Sequence, residues 1–89
     1  EKAFREFKAC ENTANFLRCE GFNVEVGVAG LATAIKASFG SGKPVIGFMG
    51  EFDALPGLSQ KVSTKQEAFE LGGYGHGCGH NLLCTAHVG

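Results

Sequence analysis

Pro44-Val45-Ile46-Gly47-Phe48-Met49-Gly50 contains no polar side chain. A short all-apolar run with β-branched residues predicts a strand buried on both faces, inside a sheet covered by helices. The flanking sequence supplies its neighbours. Upstream, Gly40-Ser41-Gly42-Lys43 reads as a connecting turn, preceded by a strand from about Leu31 to Phe39. In that strand Leu31, Thr33, Ile35, Ala37 and Phe39 share one face, and Lys36 and Ser38 the other. Further upstream, Phe22, Val24, Val26 and Val28 alternate with Asn23, Glu25 and Gly27, again the two-residue period of a strand. The chain opens differently. Ala3, Phe4, Phe7, Cys10, Ala14 and Leu17 follow helical spacing from Glu1 to about Cys19, and Gly21 is placed to stop that helix. The expectation is an α/β fold with a sheet of at least three strands, centred on Val45 to Met49.

Downstream, Ser59 to Glu70 turns polar and predicts a solvated loop or one short exposed helix. Glycines then crowd between 72 and 79, out of fourteen in the chain, about twice the usual share. From Asn81, Leu82, Leu83, Ala86 and Val88 suggest the first turns of a second helix.

Composition narrows the function classes. Eighty-nine residues allow one core at most. Eight basic against nine acidic side chains leave a net charge of -1, no footprint for nucleic acid and no polybasic anchor for a membrane. These residues show no pattern of a secretory signal and no apolar run long enough to span a bilayer, so a soluble protein is expected. The four cysteines, 10, 19, 78 and 84, form no CxxC pair. Cys10 and Cys19 fall on opposite faces of one helix and cannot bridge to each other, so a reducing, cytoplasmic compartment is expected.

Two clusters carry possible chemistry. Glu51 and Asp53 leave the carboxyl end of the apolar run at i, i+2, which projects both to one side in strand geometry, at the edge where open α/β sheets bind ligands. They are metal or substrate ligands, or polar residues marking a strand end. Gly75-His76-Gly77-Cys78-Gly79-His80-Asn81 alternates soft and borderline metal ligands with glycine. Cys78 and His80 could meet one zinc, or Cys78 could bridge two ions; His76 and Cys78 could instead pair as base and nucleophile. A glycine-rich turn into a helix is the bland alternative. Gly40 to Lys43 is not a phosphate loop, because Pro44 stands where Ser or Thr should bind magnesium and the stretch runs on into a strand. No GxGxxG occurs in the later glycine run. His87, seven residues after His80, reads as a surface or packing residue.

With both clusters in place, the chain resembles the amidohydrolase branch of the aminoacylase and carboxypeptidase-type dinuclear metallopeptidases, and within it the aminobenzoyl-glutamate hydrolase group. The resemblance rests on GVAGLATAIKASFGSGKPVIGFMGEFDALPGLSQ and GYGHGCGHNLL, with CEGFNVEVGVAG in the same layout. FDALPGLSQ and GCGHN, in this order and separation, are its specific part. It implies the amino-terminal segment (1–89) of a zinc-exopeptidase-like catalytic domain, with a mixed sheet flanked by helices and a lid or dimerisation domain elsewhere. It also implies two divalent metal ions, zinc or manganese, and hydrolysis of the amide bond of N-acyl amino acids or dipeptides in a homo- or hetero-oligomer. On that pattern Cys78 and His80 correspond to metal ligands and Asp53 to the residue that orients the metal site. Glu51 stands where the wider family has a ligand His, and no ligand role is carried over to it. Asn81 replaces the Asp that many relatives have after CGH. In the family the general base comes from a Glu-Glu pair further on, so negligible hydrolysis is expected of these residues alone. The competing expectation is a non-catalytic module holding one structural zinc through Cys78, His80 and Glu51 or Asp53.

Overall fold

A computed structural model describes residues 1–89. In chain order it has helix α1 (Phe7–Cys19), strand β1 (Asn23–Val26), a 3-10 turn (Val28–Gly30), strand β2 (Ile35–Ser38) and helix α2 (His80–Val88). The arrangement is mixed α/β, with one two-stranded antiparallel sheet.

α1 buries Cys10, Ala14 and Leu17, the i, i+4, i+7 stripe of an amphipathic helix. It ends as its sequence directs. The Gly21 amide donates to the Arg18 carbonyl and the Phe22 amide to the Leu17 carbonyl, with Gly21 at φ 89°. This paired closure satisfies carbonyls that a helix end leaves unbonded, and it turns the chain directly into β1. Its other end departs from expectation, because residues 1–6 are not helical. They fold back so that both Glu1 carboxylate oxygens accept from the first-turn amides of Lys8 and Ala9, at 3.1 and 2.8 Å. The Glu1 carboxyl is thereby held below its usual pKa range, first by the Ala9 amide and then by that of Lys8. Amides of a helix's first turn need external acceptors, and a carboxylate also favours the positive end of the helix dipole.

β1 and β2 pair in the register Val24 to Ala37 and Val26 to Ile35 on one face, Glu25 to Lys36 on the other. The faces are those the alternation predicts, and Lys36 and Glu25 approach to 3.5 Å across the polar face. Both strands are shorter than read, because the Gly27 amide donates to the Ala34 carbonyl and the Ala34 amide to that of Leu31, closing a compact connection. Phe22 and Phe39 stack beyond the strand ends with ring centroids 5.3 Å apart. α1 packs on this hairpin. At their junction the buried Glu6 accepts a 2.7 Å hydrogen bond from the buried Thr33 hydroxyl.

The expected central strand is not formed. Val45, Ile46, Phe48 and Met49 are 75 to 89% exposed, and the run is irregular. A strand buried on both faces needs a paired neighbour at each edge and a covering layer on each side. These 89 residues supply neither, and Gly40 to Lys43 turns into an unpaired segment. Only six residues are buried, four of them apolar (Cys10, Ala14, Leu17, Ala54). The radius of gyration is accordingly 15.2 Å, against about 12 Å for a compact domain of this length.

The polar stretch is a loop, not a helix, and it is closed at its base. The Ser59 amide donates to the Gly73 carbonyl, the Glu70 amide to the Ser59 hydroxyl, and the Lys61 amide to the Glu67 carbonyl. Lys61 and Glu67 also form a 3.1 Å ion pair. The glycine run then lies against residues 55–59. Leu55 and Gly75 exchange both backbone hydrogen bonds at 2.9 Å, and a Cβ at Gly75 would overlap the Leu58 carbonyl.

Candidate metal centre

Three tethers place residues 51–55 over the start of α2. The Ala54 amide donates to the Glu1 carbonyl at 2.7 Å, and Ala54 is buried. Leu55 is paired with Gly75, as above. Gly50 lies against Cys84 and His87 of α2. Gly79 then caps α2, and His80 is its first residue.

His80 therefore faces both carboxylates. Its Nδ1 lies 2.7 Å from Asp53 Oδ1 and its Nε2 lies 2.9 Å from Glu51 Oε2. The imidazole is 13% exposed, Asp53 20% and Glu51 66%, so the group opens to solvent on the Glu51 side. The hydrogen bond to Asp53 chiefly, with the charges of Asp53 and Glu51, raises the His80 pKa against an opposing desolvation effect.

One ligand atom from each residue falls within 4.8 Å of the others, so the trio could hold a metal ion. The donor chemistry fits one. A neutral imidazole that donates Nδ1–H to Asp53 points an unprotonated Nε2 at the Glu51 carboxylate, two acceptors facing each other. A proton on Nε2 or a cation between the two groups resolves that conflict. The Asp53 hydrogen bond selects the tautomer whose Nε2 is free to ligate, a common arrangement around zinc.

The sequence-predicted residues divide. Asp53 and His80 come together. Cys78 and His76 are exposed and stand outside the trio, as does the exposed His87. Glu51, to which the resemblance carries over no ligand role, is brought in as well, in line with its i, i+2 spacing to Asp53. Two open grooves, of about 290 and 420 Å³, are lined chiefly by α1 and the end of α2, and none of the trio lines either.

An imidazole set between two carboxylates at a helix start, on a mixed α/β frame, defines a candidate carboxylate–histidine centre for a divalent cation. Among known proteins the chain is similar to a p-aminobenzoyl-glutamate hydrolase subunit of Escherichia coli (strain K12), with 49% identity over 87 residues. The match takes in 97% of this chain and spans 18% of that protein's length. The resemblance carried by the FDALPGLSQ and GCGHN motifs thus extends over nearly all 89 residues. No family model and no solved structure matches the chain.

Proposed function

We propose that the chain is part of a metal-dependent amidohydrolase whose full protein cleaves the amide bond of N-acyl amino acids or dipeptides, aminobenzoyl-glutamate-like compounds among them. The observation that carries this reading is the His80 imidazole held at 2.7 Å by Asp53 and at 2.9 Å by Glu51. The similarity to a protein named as an aminobenzoyl-glutamate hydrolase subunit supports it.

When bound, a pair of zinc or manganese ions would acidify a water and polarise the scissile carbonyl. The chain's part is to hold and orient. His80 offers Nε2, Asp53 accepts the Nδ1–H and fixes the ring, and Glu51 offers a second oxygen donor from the open side. Cys78, exposed in the loop two residues before α2 begins at His80, would be the further ligand. The general base, the lid or dimerisation domain and the oligomeric contacts belong to the full protein. Four free cysteines suit a reducing compartment such as the cytoplasm, and no helix is long and apolar enough to cross a membrane.

The test is calorimetric titration with Zn²⁺, Mn²⁺ and Co²⁺, paired with hydrolysis of N-acyl-glutamate by the full protein. His80→Ala should abolish stoichiometric binding and turnover. Asp53→Asn should weaken binding about 10- to 100-fold, as loss of a group that orients a ligand does. Chelation should remove activity and added metal restore it. Full turnover in the chelated protein, or metal affinity indifferent to His80→Ala, would sink the proposal. Cys78→Ala separates the structural-zinc alternative, in which the protein loses its fold along with the metal.

A further inference from the structure

Gly50 sits where the segment bearing Glu51 and Asp53 crosses α2. A Cβ there would lie 2.9 Å from His87 Nδ1, 3.4 Å from the Cys84 Cα and 3.6 Å from the His87 Cβ. Its φ lies outside the left-handed region, so the backbone conformation does not demand glycine. Space does. The 34° tilt between the Phe48 and His87 rings, centroids 6.3 Å apart, extends the same contact one side chain further.

The geometry points to Gly50 as the positioning residue that sets Glu51 and Asp53 against His80. His80 and His87 lie on one helix two turns apart, so α2 acts as a ruler. The crossing at Cys84 and His87 fixes how near the segment runs to the helix, and one residue later Glu51 meets the imidazole at the helix start. A methyl group at position 50 pushes the segment away from α2 and lengthens both carboxylate contacts together. The obstruction is mostly the His87 ring, because 3.4 Å from the Cys84 Cα is close to ordinary van der Waals contact. Trimming His87 therefore gives the room back. As regards metal, this inference rests on the centre proposed above; as regards the two carboxylate contacts of His80, it does not.

The experiment compares wild type, Gly50→Ala, His87→Ala and Gly50→Ala/His87→Ala by two readouts. The first is the ¹H–¹⁵N resonance of the His80 Nδ1–H in metal-free protein, which reports the Asp53 hydrogen bond directly. The second is Co²⁺ affinity by titration. Gly50→Ala is expected to lose the protected Nδ1–H resonance and to bind Co²⁺ about tenfold more weakly. The double variant should recover the resonance and return to within about threefold of His87→Ala. An unchanged resonance in Gly50→Ala, or a double variant that stays impaired relative to His87→Ala, overturns the inference. If Gly50→Ala alone does not fold, the double variant decides: folded with the resonance present supports the assignment, and unfolded or folded without it refutes it. Wild type that binds no Co²⁺ sinks the metal reading alone, and the resonance still judges Gly50.

Discussion

At the scale of the residue, the His80 imidazole is the centre of the candidate site, and its protonation follows from its two neighbours. Its pKa is raised, first by the hydrogen bond to Asp53. The protonated form is favoured in the fold, so this group's stabilisation of the metal-free protein is full below the ordinary histidine value, about 6.5. It is lost as pH rises through the raised folded value. Asp53→Asn should lower the His80 pKa and flatten that dependence, as read by NMR titration and by thermal melts across pH; an unmoved pKa would contradict the geometry. A metal ion held at Nε2 would compete with the same proton, so its affinity should fall as the solution is acidified. The thiols divide by position. Cys10 is buried, and burial chiefly pushes its pKa up, so iodoacetamide should modify the exposed Cys19 and Cys78 well before it, by mass spectrometry.

At the scale of the element, the buried pair of Glu6 and Thr33 joins the start of α1 to the approach of β2, 27 residues apart. Thr33→Val leaves one carboxylate oxygen without that donor and should cost about 1–3 kcal/mol in denaturant unfolding. The elements are legible in the sequence where their cause is local. The stripe of Cys10, Ala14 and Leu17, the stop at Gly21, and the pairing of Glu25 with Lys36 opposite Val24 with Ala37 all follow from periodicity and one turn. Residues 1–6 mislead because Ala3 and Phe4 continue the helical spacing while the competing interaction, a carboxylate reaching back to amides seven and eight residues on, has no periodic signature. Val45 to Met49 misleads for a different reason. Apolar continuity says what a segment needs, and the needed neighbours are other segments. In the site, Asp53 and His80 are legible from their motifs. Glu51 is half legible, because its spacing is plain while its partner across the fold, His80, depends on where Gly50 crosses α2.

At the scale of the whole molecule, six buried residues in 89, only four of them apolar, predict a shallow unfolding transition. Denaturant sensitivity scales with the surface newly exposed. The urea m-value should therefore fall at or below about 1 kcal/mol/M, the low end for small proteins; a steeper transition would mean that Val45 to Met49 is covered in solution. The loop between Ser59 and Gly73 behaves oppositely to that exposed strip. Its ends are pinned by the Ser59, Lys61, Glu67 and Glu70 hydrogen bonds, so what happens at its tip is not felt at its base. Doubling the length of a flexible loop costs only about 0.6 kcal/mol of closure entropy. The exposed tip at Val62, ahead of the Ser63 and Lys65 hydrogen bonds, is thus a splice point: a tag, a fluorophore or a foreign peptide could be carried there while the carboxylates and the imidazole keep their separation.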